Sequence, residues 1–409
     1  MKLDALKGKK ILVVGMGIEG AATVRFLQRY VPSAEIGTTD QKNGADYLDT
    51  QEKYDLIIKT PGVSGNLIRI PYTTATNIFF ANTKGMVIGV TGTKGKSTTS
   101  SLIYEILKTA KKRVYLCGNI GKPLLDELRV GHDEDDIYVV ELSSYQLSDI
   151  QFSPHIAVFI NIFPEHMNYH GSIQKYIAAK KHIMTFATAR DYFVYNQAYP
   201  QLVQFADESK AKPVPFIQKL PFPDSEIPLL GVHNRDNVRA AVTVGNLLGI
   251  STETMRIAVK HFKPLPHRLQ NVGTYKSITF YDDAISTTPE STIVAIESLK
   301  PIGTILVGGL DRGYDFNHLA DVIIHHRIKN VICFPDSGNT IAVLLRKKSR
   351  SIAIFPAKSM ENAVNVSFQH TPKDTICLLS CASPSYSLWK NFEEKGDLFQ
   401  KLVKQYATS

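Results

Sequence analysis

Residues 87–99 read Val-Ile-Gly-Val-Thr-Gly-Thr-Lys-Gly-Lys-Ser-Thr-Thr, and the remainder of the chain is interpreted outward from this stretch. An apolar run leads into a glycine-rich turn, and the periodic segment Ser100 to Leu107 then predicts a helix. Backbone N–H groups of such a turn can surround phosphate oxygens at a helix N-terminus. Lys96 can reach the β and γ phosphates, and the Ser97 hydroxyl can ligate Mg²⁺. The stretch therefore predicts a P-loop domain that binds a nucleotide.

The match to the generic P-loop pattern is incomplete. That pattern requires a glycine five residues before Gly95, and Val90 occupies the position. An ordinary strand-to-helix turn is the alternative. The order of strand, three glycines and helix favours phosphate binding.

Composition limits the classes of protein to consider. A length of 409 residues predicts two to four domains, and 44% hydrophobic with 21% charged residues is typical of a soluble globular chain. No apolar run approaches the ~18 residues of a membrane span, and the N-terminus lacks a signal-peptide core, so we expect a cytoplasmic protein. The net charge of +9 suits anionic small substrates, whereas the dispersed basic residues argue against nucleic-acid binding.

The cysteines show no spacing that is typical of metal sites or redox motifs. We expect reduced thiols without a catalytic role, because a chain of this length needs no disulfides for stability. They are Cys117, Cys333, Cys377 and Cys381.

The N-terminal segment carries a second glycine-rich turn. The predicted strand Lys10 to Val14 leads into Gly15-Met16-Gly17-Ile18-Glu19-Gly20 and a helix through Tyr30, and Asp40 follows twenty residues after the last glycine. This spacing is that of a dinucleotide-binding fingerprint. The same turn could hold another diphosphate, such as a nucleotide sugar, or no ligand at all.

Acidic and imidazole groups follow two predicted strands downstream of the P-loop. Glu141 ends the strand from Ile137, a position suited to holding Mg²⁺, although a helix-capping carboxylate is the alternative. His166 follows the strand His155 to Ile160, and a ligand role and a structural role are equally compatible with that position.

Polar residues on two predicted helices are further candidates. Lys180 lies in the helical segment from Ile173 to Phe186, where a surface lysine is the default interpretation. Asn234 and Asn237 lie three residues apart at the start of a helix predicted from Val238. Their amides could bind a purine or phosphate, or could cap the helix.

The pattern of strands and helices predicts an α/β protein of three domains. Residues 197–228 show no clear period and are expected to form irregular structure or short strands, and Pro264 and Pro266 mark a boundary. Beyond it, strands again alternate with helices, which predicts a parallel sheet. The expected domains are an N-terminal Rossmann-like domain (1–83), a central P-loop domain with a mostly parallel sheet (84–264) and a C-terminal Rossmann-like domain (265–409).

Together these stretches resemble the Mur ligase family, and within it the branch that adds glutamate to UDP-N-acetylmuramoyl-L-alanine in peptidoglycan synthesis. The family's ATP loop also lacks the first glycine of the generic pattern, which accounts for Val90. Residues 141–147, Glu-Leu-Ser-Ser-Tyr-Gln-Leu, resemble its magnesium segment, and Glu165-His166-Met167 resembles its Asp-His-Met. Tyr176-Ile-Ala-Ala-Lys180 places Lys180 on the family's carbamylated lysine.

The resemblance implies ATP, two Mg²⁺ ions and a carbamylated lysine, and it assigns a set of site residues. The implied catalytic residues are Lys96, Glu141, His166 and Lys180, and the metal ligands are Ser97, Glu141, His166 and carbamylated Lys180. The implied ATP-binding residues are Gly92, Thr93, Lys94, Gly95, Lys96, Ser97, Thr98, Asn234, Asn237, Arg268 and Asp283. The UDP-substrate residues are Gly15, Met16, Gly17, Ile18, Glu19, Asp40, Gln41, Lys42, Asn119, Ser143 and Gln146. The glutamate residues are Arg312, Thr287, Ser385, Tyr386 and Phe392.

Departures from the family pattern lie at the amino-acid end of the predicted site. The family segment Asn-Asp-Ser-Lys-Ala-Thr-Asn reads Asp-Asp-Ala-Ile-Ser-Thr-Thr at residues 282–288, so Ile285 replaces the lysine. Arg312 replaces another lysine, and Pro384 enters the glutamate loop. The resemblance therefore implies an ATP-dependent ligase that adds D-glutamate, acts on small molecules and is a monomer. The alternatives are the L-glutamate branch, a nucleotide-sugar binding protein without turnover and a dehydrogenase.

Overall fold

The computed structural model describes residues 1–165 and 167–408, and the chain forms two compact units. The first unit comprises residues 1–227 and 233–262, and the second comprises residues 228–232 and the chain from Lys263 onward. The first unit contains two β-sheets and the second contains one. The predicted α/β class with mostly parallel sheets is confirmed. The boundary expected between residues 83 and 84, inside the first unit, stays a prediction.

The first sheet has four parallel strands in the order β2-β1-β3-β4. The central strand β1 is buried from Ile11 to Val14, which fits a strand covered on both faces. The strands are β1 (Lys10–Val14), β2 (Glu35–Thr39), β3 (Leu56–Lys59) and β4 (Tyr72–Thr74), and the helices are α1 (Ile18–Tyr30) and α2 (Ala75–Asn82).

The second sheet has six parallel strands in the order β10-β9-β8-β5-β7-β6, and the strand before the P-loop lies inside it. Its strands are β5 (Met86–Thr91), β6 (Val114–Gly118), β7 (Ile137–Glu141), β8 (Ile156–Phe159), β9 (Tyr192–Tyr195) and β10 (Lys212–Pro215). The accompanying helices are α3 (Lys96–Thr109), α4 (Leu124–Glu127), α5 (Ser144–Leu147), α6 (Met167–His170), α7 (Ile173–Thr185), α8 (Pro200–Glu208), α9 (His233–Leu247) and α10 (Thr252–Lys260).

The third sheet forms the second unit and has the order β11-β12-β16-β13-β14-β15. Its edge strand β11 pairs antiparallel with β12, so the expectation of a purely parallel sheet is corrected at this edge. The strands are β11 (Gln270–Tyr275), β12 (Ile278–Asp282), β13 (Ile302–Gly308), β14 (Asn330–Phe334), β15 (Ala353–Pro356) and β16 (Thr375–Leu379). The helices are α11 (Pro289–Ser298), α12 (Asn317–His325), α13 (Ser337–Lys348), α14 (Met360–His370) and α15 (Phe392–Thr408).

Two segments differ from the sequence prediction. Residues 197–228 contain the short strand β10, which fits the expectation of short strands, but they also contain the helix α8, which was not expected. Pro200 is tolerated in a first helical turn, and β10 is an edge strand, where prolines are tolerated. Helix α9 begins at His233, five residues before the predicted start at Val238.

The cysteines are free and lie in the interior, in agreement with the expected reduced thiols. Within residues 1–165 and 167–408, no helix is long and apolar enough to cross a bilayer.

A buried ion pair joins the two sheets of the first unit. Lys59 at the end of β3 is fully buried, and its Nζ lies 2.6 Å from Asp149 Oδ2 in the segment after α5. Lys59 Nζ also donates to the Val63 carbonyl (3.0 Å), and Tyr72 Oη donates to Asp149 Oδ1 (2.8 Å). Asn77 Nδ2 donates to the Asp149 carbonyl (2.8 Å). Asp149 therefore connects three residues of the first sheet's layer to the second.

We predict that Asp149→Ala lowers the free energy of unfolding by about 3 kcal/mol, because it leaves the Lys59 ammonium buried without its counter-charge. The matched control is Asp126→Ala, which removes the exposed Arg25–Asp126 pair (2.7 Å) between the same layers and is expected to cost less than ~1 kcal/mol. Urea unfolding followed by circular dichroism measures both. Equal losses in the two variants would contradict a special role for the buried pair.

Candidate active site

The backbone of the P-loop is fixed by one glycine at its helix end. Gly95 has φ +85°, in the left-handed region, and it immediately precedes α3. A Cβ atom on Gly95 would lie 2.3 Å from Asn237 Oδ1, so a side chain would push α9 away from the loop. The close approach of α9 therefore requires glycine here, in addition to the strained φ.

Two lysines converge on a single carbonyl of this loop. Lys96 Nζ donates to the carbonyls of Gly92 (3.1 Å) and Thr93 (3.0 Å). Lys180 Nζ, from α7, donates to the same Gly92 carbonyl (2.8 Å) and to Thr91 Oγ1 (3.3 Å). Two lysine side chains therefore meet at the point where a P-loop would receive phosphate.

Lys180 is a buried residue, so the default interpretation as a surface lysine is wrong. Its relative exposure is 2%. Burial lowers the pKa of the Lys180 amine well below its ordinary value, and the neighbouring Lys96 ammonium lowers it further. The carboxylates of Glu165 and Glu141 act in the opposite direction. The amine is thus surrounded by charged groups of both signs.

Glu141 has one oxygen engaged and one free for a ligand. Its Oε1 accepts a hydrogen bond from Asn119 Nδ2 (2.9 Å), whereas Oε2 is buried and has no hydrogen-bond partner among the described residues. The capping alternative is wrong, because Ser143 caps the following helix α5. Strand β7 pairs directly with β5, which places Glu141 opposite Val90 at the base of the P-loop. A buried carboxylate oxygen without a partner is suited to a cation.

The loop after β8 contacts the P-loop from its other side. Asn161 Oδ1 accepts from the Lys94 N–H (2.9 Å), and its Nδ2 donates to the Lys94 carbonyl (3.0 Å). Thr93 Oγ1 lies 2.9 Å from Tyr176 Oη, and Lys94 forms an ion pair with Glu165. The predicted ligand His166 lies outside the described residues.

Asn234 and Asn237 lie inside α9, so the capping alternative is wrong for both. Asn237 Nδ2 donates to Asn234 Oδ1 (2.8 Å), and Asn237 Oδ1 accepts from Thr99 Oγ1 (3.2 Å). Asn237 thereby joins α9 to α3 directly behind the P-loop. An adenine-binding role for the two amides stays a prediction.

The remaining P-loop residues lie at the first turn of α3. Thr98 is buried and Ser97 is half-buried. In the part of the chain that the structure describes, no three His, Cys, Asp or Glu side chains come together as a metal site. The predicted ligand set differs from such a cluster, since it includes a serine and a modified lysine as well as His166.

The glycine-rich turn of the first sheet is held by Asp40. Gly15 has φ +92°, and the Met16 N–H donates to Asp40 Oδ2 (2.6 Å). The Lys42 N–H donates to Asp40 Oδ1 (3.0 Å). The N–H groups of Lys42 and Met16 hold the pKa of the Asp40 carboxyl below its ordinary value. Asp40 thus joins the ends of β1 and β2. Nearby Gly17, Ile18, Gln41 and Lys42 remain exposed or half-buried.

Glu19, in the first turn of α1, faces the second sheet's layer. Its Oε1 is buried without a hydrogen-bond partner among the described residues. Burial raises the pKa of the Glu19 carboxyl to about 7, although a contact with Gln146 and the Lys59 ammonium oppose this shift. Gln146 Oε1 in turn accepts from the Ser143 N–H (3.0 Å) in the capping box of α5. The predicted substrate residues Glu19, Ser143 and Gln146 are therefore neighbours.

In the second unit, the predicted residues lie in loops at one edge of the third sheet. Asp283 follows β12 and is buried, and burial raises the pKa of its carboxyl to about 6 while Arg268 opposes the shift. Thr287, Arg312 and Ser385 follow β12, β13 and β16, which are neighbouring parallel strands. The carboxyl edge of such a sheet is where ligands bind.

The exposure of the predicted glutamate residues varies. Ser385 is buried, and its Oγ has no hydrogen-bond partner among the described residues. Arg312 and Tyr386 are exposed, and Thr287 and Phe392 are half-buried.

The sequence interpretation missed several residues around these sites. Asn161 carries a detectable signal, since it follows a buried strand of the P-loop sheet. Asp149 and Tyr176 carry none, because their roles depend on contacts with distant residues. Asp149 also lines a cavity of about 460 Å³ between the two sheets' layers. Its lining residues are Ser64, Gly65, Asn66, Tyr72, Ser148, Asp149, Tyr169, His170, Gly171, Lys175, Ala178, Ala179 and His182.

Comparison with known proteins identifies the family. Residues 90–219 match the Mur ligase middle domain. UDP-N-acetylmuramoylalanine–D-glutamate ligase of Koribacter versatilis is 30% identical over 98% of both chains. UDP-N-acetylmuramoyl-L-alanine–L-glutamate ligase of Salinispora tropica is 32% identical over the whole of both chains. The chain belongs to the Mur ligase family. As a Mur ligase it is an ATP-dependent ligase, and this membership replaces the dehydrogenase alternative.

Solved structures of Mur ligases share its fold. The ligase MurC of Thermotoga maritima aligns with a TM-score of 0.64 and 18% identity, covering 98% of this chain and 99% of that one. The MurF ligase of the same organism, in complex with ADP, aligns with a TM-score of 0.63 and 16% identity, covering 99% and 97%.

We predict that Glu19 makes stability depend on pH. Because its folded-state pKa of about 7 exceeds the ordinary value of 4.5, its stabilising contribution is present below pH 4.5 and is lost as the pH rises through 7. The unfolding free energy of Glu19→Gln minus that of the parent should therefore be about 2 kcal/mol larger at pH 8 than at pH 5. Urea unfolding at both pH values measures this difference. The same substitution at the exposed Glu52 measures the background, and identical pH dependence in both variants would contradict the prediction.

Proposed function

We propose that this Mur ligase adds D-glutamate to UDP-N-acetylmuramoyl-L-alanine and converts ATP to ADP and phosphate. The observation that carries the proposal is the meeting of Lys96 and Lys180 at the Gly92 carbonyl, near Glu141, whose Oε2 has no hydrogen-bond partner in the part of the chain that the structure describes. Joining a carboxylate to an amine is unfavourable in water. Transfer of the γ-phosphoryl group to the alanyl carboxylate gives an acyl phosphate, which the glutamate amine attacks with release of phosphate.

The P-loop residues supply electrostatic stabilisation for the phosphoryl transfer. Lys96 would exchange its present carbonyl partners for β- and γ-phosphate oxygens, and the N–H groups of the loop would hold the phosphates at the N-terminus of α3. Phosphoryl transfer depends mainly on such positioning and on charge neutralisation. Bound Mg²⁺ would neutralise negative charge on the phosphates. Ser97 and Glu141 would hold one ion, and His166 and carbamylated Lys180 would hold the other.

Carbamylation of Lys180 is supported by its surroundings. The reaction forms a bond between the amine nitrogen and the carbon of CO₂, with loss of one proton, and yields a carboxylate. It requires a neutral amine, which burial favours. The product would place an anion beside Lys96 where the neutral amine stood, and so would attract the Lys96 ammonium.

Two groups of loop residues are candidates for binding the UDP-sugar and glutamate. We propose that Gly15 to Glu19, Asp40 to Lys42, Asn119, Ser143 and Gln146 bind the UDP-sugar, and that Arg312, Thr287, Ser385, Tyr386 and Phe392 bind glutamate. The buried Ser385 Oγ supports the glutamate assignment. The planar fork of Arg312 suits a carboxylate.

The configuration of glutamate is the point on which the relatives differ. A second ligase named for D-glutamate, from Acetivibrio thermocellus, is 30% identical over 97% of both chains. A second ligase named for L-glutamate, from Micromonospora, is 31% identical over 100% of this chain and 99% of its own length. L-Glutamate is therefore the second candidate. We propose in addition that the enzyme acts in the cytoplasm as a monomer, on small molecules alone.

The assay combines ATP, Mg²⁺, UDP-N-acetylmuramoyl-L-alanine and one enantiomer of glutamate, and it measures ADP release and product mass. We expect ADP release that requires both other substrates, with D-glutamate incorporated. Lys96→Ala should reduce it at least 10³-fold, because a phosphate-binding cation is lost. Lys108→Ala, on the exposed face of α3, is the matched control. Release that is unchanged in Lys96→Ala would overturn the assignment, and incorporation of L-glutamate alone would select the second candidate.

For Lys180→Ala we expect activity to fall by at least 10²-fold and to recover in part when acetate or formate is added. The small carboxylate would occupy the place of the carbamate. Titration of acetate against ADP release measures the recovery, and Lys96→Ala should not respond. Full activity of Lys180→Ala without acetate would refute the proposed metal role.

A further inference from the structure

A buried imidazole–carboxylate pair lies where the second unit begins. His267 is 5% exposed, and its Nδ1 lies 2.7 Å from Asp282 Oδ2 at the end of β12. Asp282 is fully buried. Its Oδ2 also accepts from Gln400 Nε2 (2.7 Å), and its Oδ1 accepts from the Ala284 N–H (2.9 Å). The carboxylate is therefore held from several sides, and it fixes the imidazole ring in turn.

The pair controls an unusual turn around Arg268. The residues on either side, His267 and Leu269, have φ values of +59° and +44°, in the left-handed region that non-glycine residues rarely adopt. Such a conformation persists only where the surroundings impose it. The Leu269 N–H donates to Asp283 Oδ1 (3.2 Å), and the His267 carbonyl accepts from the Ile285 N–H (3.2 Å). Consecutive aspartates thus hold both neighbours of Arg268.

Helix α15 encloses the pair from the remaining side. A Cβ atom on Gly396 would lie 2.1 Å from His267 Nδ1 and 2.7 Å from Asp282 Oδ2, so only glycine permits this approach. Asp397 Oδ1, on the next residue, lies 3.6 Å from His267 Nε2 and is mostly exposed. The imidazole is therefore placed between a buried carboxylate and an exposed one.

We propose that the Asp282–His267 pair is a positioning device that holds the Arg268 turn in the conformation that binds the nucleotide. The inference rests on the proposed function, because Arg268 is assigned to ATP only by the resemblance to the Mur ligase family. His267 and Asp282 themselves touch no substrate in this scheme. They act through Arg268, whose two neighbours they and Asp283 restrain.

The hydrogen bond from Asp282 favours the protonated form of His267, and this makes the effect of the pair measurable. The charged groups that face His267 are Asp282 from β12 and Asp397 and Glu393 from α15. They raise the pKa of His267 above its ordinary value, with the Asp282 hydrogen bond as the largest cause, while burial opposes them. Charge-assisted hydrogen bonds are roughly twice as strong as neutral ones. Nucleotide binding should therefore weaken as the pH rises through the pKa of His267.

The test variant is Asp282→Asn, which keeps the shape of the side chain and introduces the residue of the family segment quoted above. Below the pKa of the parent's His267 we expect the KM for ATP to be about tenfold higher in the variant, with kcat at saturating ATP within about threefold of the parent. As the pH rises through that pKa the parent's own KM should rise, and the two KM values should converge to within about twofold. The NMR titration of His267 should shift to lower pH in the variant.

Asp397→Asn is the matched control, since it makes the same change on the exposed side of the ring, and its KM should change less than twofold. If Asp282→Asn does not fold, His267→Asn serves, because asparagine tolerates the left-handed φ and its amide can donate to Asp282. That variant should lose the pH dependence of the KM for ATP.

Equal KM values and equal His267 titrations in Asp282→Asn and the parent would overturn the inference, as would a loss of thermal stability with an unchanged pH profile. Calorimetric titration with ATP measures nucleotide binding directly, and so it separates failure of this inference from failure of the proposed function. A parent chain that binds ATP but releases no glutamate-dependent ADP would refute the proposed reaction and still allow the pair to be tested.

Discussion

The Gly92 carbonyl accepts hydrogen bonds from Lys96 and Lys180, and the rest of the candidate active site depends on this meeting of two lysine side chains. Two ammonium groups that share one buried carbonyl would repel each other. The arrangement is compatible with folding because burial favours the neutral amine of Lys180 and because Glu141 and Glu165 lie nearby. The lysine side chains that bind the Gly92 carbonyl in this structure are thereby placed to bind anionic phosphate oxygens.

Parallel sheets explain why functional side chains gather without being close in sequence. Glu141 and Asn161 follow β7 and β8 of the P-loop sheet, and Asp283 and Ser385 follow β12 and β16 of the third sheet. Every parallel strand delivers the residue after it to the same edge. Asn161 reinforces this edge, because its side chain holds both the N–H and the carbonyl of Lys94.

In the first unit, a buried ion pair connects two sheets. Lys59 and Asp149 join its two sheets beside a cavity of about 460 Å³. The Lys59 ammonium also opposes the rise in the pKa of the Glu19 carboxyl that burial causes. Buried ionisable groups cost free energy unless they are paired, and removal of one partner leaves an uncompensated buried charge. In the second unit, the buried Asp282 restrains His267 by the same principle.

The sequence by itself determined the α/β class, the P-loop with its helix, and most strand positions, because these follow from local period and from glycines at fixed offsets. It also named Lys96, Glu141 and Lys180, the last only through family resemblance. Tertiary structure alone decided that Lys180 is buried, that Asn237 contacts Thr99 across 138 residues, and that Asp149 pairs with Lys59. The antiparallel β11 and the helix α8 were likewise missed. Burial and pairing arise from packing between segments far apart in the chain, and no local pattern of residues encodes them.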